Sequence, residues 1–123
     1  MKNLIKKEIK EIIEIYNLNC SIEEFKDKID WKNISAFQTL SEDFMIEFKD
    51  KVDWEEISYY QELSEKFIRK FKNKIDWYWI SKNQNLSEEF IKEFKNYINW
   101  DKLKSNRYVI NILVNKLKIN LNS

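Results

Sequence analysis

The chain has 123 residues, enough for one domain with a modest core, and 22 Lys and Arg against 21 Asp and Glu leave a formal charge of +1. That balance gives no bulk electrostatic case for nucleic acid or an anionic membrane, and a hydrophobic content of 43% with 15% aromatics excludes a disordered chain. There is no Gly, no Pro and no His. All-β folds and phosphate-cradling loops need Gly for positive φ, so the chain is expected to be helices joined by tight turns, and the missing His removes the commonest general base and neutral metal ligand.

In chain order, the start Met1-Lys2-Asn3-Leu4-Ile5-Lys6-Lys7 turns polar before any apolar run forms, so no signal peptide is expected. Residues 2 to 16 predict an amphipathic helix with Ile5, Ile9, Ile12, Ile13 and Tyr16 on one face. After it, Trp returns at 31, 54, 77 and 100, a constant step of 23 residues. A fixed period in this range is the mark of stacked repeats. The expected divisions are an N-terminal capping helix at 1–17, repeats at 18–40, 41–63, 64–86 and 87–109, and a C-terminal capping helix at 110–123.

Each repeat reads as two helices. In the second copy Phe44, Met45, Phe48 and Val52 share one face of a helix A running from Ser41 to Val52. Ser41 is its N-cap, and Glu42 and Asp43 place negative charge where the helix dipole favours it; Ser64-Glu65 and Ser87-Glu88 repeat this start. Helix B begins at a capping Asp30, Asp53, Asp76 or Asn99 and carries Trp54, Ile57, Ser58 and Gln61 at offsets 0, 3, 4 and 7. The first repeat opens instead on Ser21-Ile22-Glu23-Glu24, a capping box, followed by Phe25 and Ile29. Ser35, Ser58 and Ser81 are small enough to let helices approach closely. Past Leu103 the pattern degrades, and Val109, Ile110, Leu113, Val114 and Leu117 predict a final covering helix. Neither helix of a repeat is long enough to be stable alone. The expected fold is therefore all-α, a short α-solenoid of helical-hairpin repeats with a capping helix at each end, as arrays require.

Chemistry is sparse. The one cysteine, Cys20, has no internal disulfide partner, fits a reducing cytosol, and lacks the His that would make it a nucleophile. The periodic Asp30, Asp53 and Asp76 should stand about 10 Å apart at helix-packing distances, too far for a shared metal, and capping accounts for them. No enzyme activity, cofactor or metal is expected. The repeated Gln38, Gln61 and Gln84 could bond neighbouring backbone at the end of helix B, the reading favoured here, or form a ladder presented to a ligand.

Functional information is sought where the repeats disagree. Positions of helix B that hold Glu in one copy hold aromatics in another, which marks Phe37, Tyr59, Tyr60, Tyr78 and Trp79 as a candidate exposed partner-binding patch; the alternative is that some of them pack on the neighbouring repeat or a capping helix. A second candidate is basic: Lys49, Lys51, Arg69, Lys70, Lys72 and Lys74 form a ladder that could meet phosphates of RNA or single-stranded nucleic acid, although acidic residues interleave with it as on a solvated helix face.

The phrase Lys-Ile-Asp-Trp-x-x-Ile-Ser-x-x-Gln-x-Leu-Ser-Glu-x-Phe-Ile-x-x-Phe, from Lys74 to Phe94, resembles a tandem repeat of poorly characterised giant-virus and low-GC bacterial or phage proteins. The similarity runs from about Phe25 to Leu103. It implies a repeat scaffold of viral or mobile-element origin and brings no activity or site residues with it. By analogy of size and composition, such a protein is expected in the host cytosol, occupying a surface of a bacterial machine as anti-CRISPR inhibitors of effector nucleases do. The expected partner is another protein rather than a membrane, with the chain a monomer or a dimer.

Overall fold

The computed structural model describes residues 1–109 and 113–117. All their regular structure is helical: α1 (Asn3–Ile15), α2 (Phe25–Lys28), α3 (Trp31–Phe37), α4 (Glu42–Glu47), α5 (Trp54–Tyr60), α6 (Glu65–Lys70), α7 (Trp77–Asn83), α8 (Glu88–Glu93) and α9 (Trp100–Leu103). Residues 113–117 are helical as well. The all-α array of helical hairpins expected from the sequence is the one observed, with α2, α4, α6 and α8 as A helices and α3, α5, α7 and α9 as B helices. By internal contacts the chain divides into two compact units, Met1–Asp53 and the residues from Trp54 onward.

The caps fall where the residue types place them. Ser41, Ser64 and Ser87 each accept the N–H of the phenylalanine three residues on, at 3.1 Å. Asp30, Asp76 and Asn99 accept from Asn33, Tyr78 and Lys102 at 3.0–3.1 Å. Ser21 and Glu24 exchange bonds reciprocally at 3.1 and 3.2 Å, here around a turn at 22–24 that precedes α2. A chain without Gly still needs a left-handed residue to end α1, and Asn17 supplies it at φ 52°. Leu18 N–H then reaches Ile13 O at 2.9 Å and Asn17 N–H reaches Glu14 O at 3.2 Å. That is the Schellman pattern, with Asn in the position Gly usually takes.

The A helices are shorter than expected. The stripe from Ser41 to Val52 predicts one helix, but α4 ends at Glu47 and Phe48 leaves the helical region at φ −107°, ψ 31°. A turn follows in which Lys51 and Val52 N–H both donate to Phe48 O, at 2.8 and 3.0 Å. The same turn closes on Phe71 and Phe94. Offsets cannot tell a helix from a helix plus this turn, because both keep residues four apart on one side. Phe48 and Val52 are buried either way.

Trp31, Trp54 and Trp77 each pack on the two phenylalanines of the next A helix and turn. In the N-terminal unit, Trp31 lies 6.1 and 5.1 Å from Phe44 and Phe48. In the C-terminal unit, Trp54 lies 5.9 and 4.9 Å from Phe67 and Phe71, and Trp77 lies 6.3 and 5.5 Å from Phe90 and Phe94. Such pairs contribute about 0.5–1.5 kcal/mol each beyond area burial. The indoles are half-buried rather than engulfed, because their N–H reaches out to a main-chain carbonyl: Trp31 to Lys26 of α2, Trp77 to Lys72 and Trp100 to Lys95 in turns, at 2.9–3.1 Å.

Polar side chains complete the join between repeats. Ser58 is fully buried; its hydroxyl donates to Trp54 O at 2.7 Å and accepts Asp76 N–H at 2.9 Å. Ser81 likewise accepts from Asn99 N–H, and in the N-terminal unit Ser35 accepts from Asp53 N–H. Gln84 accepts Leu63 N–H at 3.0 Å and donates to Gln61 O at 2.7 Å. Its repeat-related position in the last copy is Arg107, and the neighbouring Asn106 takes over, donating to Ser81 O and Gln84 O at 2.9 and 2.7 Å. Glu65, expected to serve its own helix, accepts instead from the N–H and hydroxyl of Ser87 at 2.6 and 3.0 Å. Glu8 of α1 does the same for Ser41, so the N-terminal helix imitates the carboxylate of a preceding repeat. α1 buries Ile5, Ile9 and Ile12 and packs on α4. Val109, Val114 and Leu117 are buried toward the C-terminal end. Ile110, part of the predicted final helix, lies outside the described residues.

These bonds distinguish a hydroxyl from mere smallness. Ser58→Ala keeps the space and removes the acceptor, leaving Asp76 N–H unsatisfied, and should lower unfolding free energy by about 1–3 kcal/mol. Urea denaturation followed by tryptophan fluorescence reads the change; a stability equal to the parent would mean that close approach alone explains the serine.

Candidate functional site

The helix-B positions that vary between repeats carry a cluster of rings on α5 and α7 in the C-terminal unit. Asp76 starts α7 so that Tyr78 and Trp79 follow Trp77 in its first turn, while Tyr59 and Tyr60 close α5. Within α5 the Tyr59 and Tyr60 ring centroids lie 4.3 Å apart, and within α7 those of Tyr78 and Trp79 lie 4.6 Å apart; the α5–α7 packing joins the two pairs by setting Tyr59 4.3 Å from Trp79. Four of the five aromatic residues picked out from the sequence thus form one continuous row. Tyr59, Tyr60 and Tyr78 are 39%, 48% and 37% exposed, and Trp79, between Tyr59 and Tyr78, is half-buried. The fifth, Phe37, belongs to the N-terminal unit, where it is 69% exposed.

Beside the row lies an open groove of about 920 Å³, bordered by Tyr59, Tyr60, Glu62, Lys82, Arg107 and Tyr108. Asn83 braces its floor, donating to Tyr59 O at 3.1 Å. Three cations rest on rings here. Lys82 Nζ is 5.7 Å from the Trp79 ring and Lys102 Nζ is 4.8 Å from that of Tyr78. The Arg107 guanidinium is 4.9 Å from the Tyr108 ring, and its Nη2 donates to the Tyr108 hydroxyl at 2.8 Å. The sequence reading missed these cations and Tyr108. Lys82 was findable three residues from Trp79 on one helix face; Arg107 announces itself by standing where the repeats have Gln.

The basic candidates are spread. Lys49 and Lys51 lie exposed in the N-terminal unit, and Arg69, Lys70, Lys72 and Lys74 lie exposed in the C-terminal one. Arg69 is committed: its Nε and Nη2 both bond Glu93 at 2.9 Å, over the rings of Phe90 and Phe94. Lys70 rests on Phe71. The recurrent Lys26, Lys72 and Lys95 position serves through its backbone carbonyl, the acceptor of the tryptophan N–H, which any side chain could provide.

Among the described residues no three His, Cys, Asp or Glu gather closely enough to hold a metal ion. No helix among them is long and apolar enough to cross a membrane. Cys20 is half-buried and unbridged. No protein-family model, curated protein or solved structure matches the chain.

The titration behaviour of the surface follows the bonds. Hydrogen bonding by Arg69 holds the Glu93 carboxyl below the usual Glu range, and Glu93 raises Arg69 in turn. Bonds from the N–H and hydroxyl of Ser21 lower Glu24 in the same direction. A carboxyl whose folded value is depressed stabilises the fold above its ordinary range and loses that contribution as pH falls through the lowered value. Arg69→Met should return the Glu93 titration, followed by NMR, to the usual Glu range. The stability difference between variant and parent should shrink on acidification. An unshifted Glu93 curve in the variant would show that the pair does not form in solution.

Proposed function

We propose that this chain is a non-enzymatic protein-binding module, with the row formed by Tyr59, Tyr60, Tyr78 and Trp79 as its contact surface. One observation carries the reading. Four large aromatics occupy positions that the repeat leaves free, and they touch one another at 4.3–4.6 Å while three remain more than a third exposed. Tyr and Trp dominate binding hot spots because they bring large area at little cost in side-chain entropy. A helical array offers such residues on a stiff surface, and a preorganised surface loses less freedom on binding. The lack of any His supports the non-enzymatic side of the proposal. A narrower form makes the chain an inhibitor that covers a surface of a bacterial machine, such as a CRISPR effector nuclease; the identity of the retained protein decides it.

Replacing Tyr59, Tyr60, Tyr78 and Trp79 together by Ala should abolish retention of the partner in a nuclease-treated affinity pull-down from the host. The far-ultraviolet circular dichroism should stay helical, since these side chains lie outside the Trp–Phe packing. Full retention by that variant would refute the surface. Recovery that depends on intact nucleic acid would instead favour the Lys ladder.

A further inference from the structure

We infer that the partner segment received by this surface is acidic, with its carboxylates facing Lys82 and Arg107; the inference rests on the protein-binding reading above. Lys82, Lys102 and Arg107 are held over the rings of Trp79, Tyr78 and Tyr108. Among the described residues none of the three pairs with a carboxylate. The pattern contrasts with Arg69, Lys92 and Lys104 of the same unit, which bond Glu93, Glu88 and Asp101. A ring attracts a cation without neutralising it, so each of these groups is positioned by the fold with its charge unspent.

The acids that line the groove do not cancel its two cations, Lys82 and Arg107. Glu62 and Glu65 line the groove with Lys82 and Arg107, but Glu65 is committed to the N–H and hydroxyl of Ser87. Glu62 alone remains against the two groove cations, with Lys102 adding charge at the Tyr78 end of the row. An extended acidic peptide can set apolar side chains on Tyr59 and Tyr60 and carboxylates beside Lys82 and Arg107, while avoiding Glu62. A nucleic-acid strand has less choice, because its evenly spaced phosphates would have to pass that carboxylate. Charge complementarity of this kind steers association and rejects wrongly charged partners.

The test is fluorescence anisotropy with the full chain and three labelled probes: a peptide alternating Glu and Leu, the same peptide with Lys for Glu, and an oligothymidylate. The acidic peptide should bind best, more weakly as salt is raised. The double variant Lys82→Glu, Arg107→Glu should lose about tenfold or more in affinity for it, a change typical of opposed charges at an interface, and should gain affinity for the Lys peptide. If that variant does not fold, Lys82→Gln with Arg107→Gln should show the loss without the gain. Equal binding of the two peptides, binding of neither, unchanged affinity in the charge variants, or preference for the oligothymidylate would each overturn the inference. The pull-down separates it from the reading beneath it. A natural partner lost by the aromatic variant but kept by the charge-reversed one leaves the surface standing and removes only the acidity.

Discussion

Helix ends are the constraint on which the rest of this structure depends. The B helices α3, α5 and α7 have seven residues each, and α4, α6 and α8 have six. A helix leaves its first four N–H and last four C=O groups without internal partners, so helices this short are nearly all end. Their backbone groups must be satisfied from outside, and burying the hydrophobic face makes water a poor supplier. The neighbouring repeat supplies them instead. Ser58 takes the N–H at the start of the next B helix, Gln84 reaches back to Leu63 and Gln61 at the end of the previous one, and Glu65 holds the next A-helix cap. Propensity could not hold any of these helices alone.

The same constraint sorts the positions of the repeat into fixed and free. Trp, the two Phe, Ser, Gln and the capping residues each have a partner in an adjoining repeat or turn, and they recur. The positions just after the tryptophan and near the end of helix B change from copy to copy: there α5 and α7 carry Tyr59, Tyr60, Tyr78 and Trp79, while Asn83 and Asn106 bond back to the preceding repeat. In the last copy the joining residues change. Lys104 stands in the place of the helix-B serine, Glu88 pairs with Lys92, and Asn106 takes over the glutamine's bonds. That last exchange leaves the glutamine position to Arg107, which borders the groove beside the tyrosines. The end of the repeat and the charge of the candidate site are thus one event in the chain.

Much of this was legible residue by residue. The serine and aspartate caps, the reciprocal Ser21–Glu24 bonds, the buried stripe and the amphipathic first helix all rest on interactions within about four residues. The aromatic candidates were legible by a different argument: variation inside a strict period marks positions that the packing does not use. That reasoning could not show that four of the rings touch, nor that Phe37 stands in the other unit. The A helices were overextended because a helix and a turn of the same spacing bury the same side chains. Glu65 was read for its own helix dipole, since nothing local hints that its carboxylate is spent on Ser87.

The sequence by itself determined the all-α class, the 23-residue unit, the capping residues and the inward face, because these follow from neighbours along the chain. Tertiary structure alone decided which hydroxyl meets which amide, which indole lies on which phenylalanine pair, and which cations rest on rings. The joining bonds link residues 18 to 26 apart between repeats, and 33 apart between α1 and Ser41. Their partners are set by how one hairpin packs on the next, and no periodicity within a single helix specifies that packing.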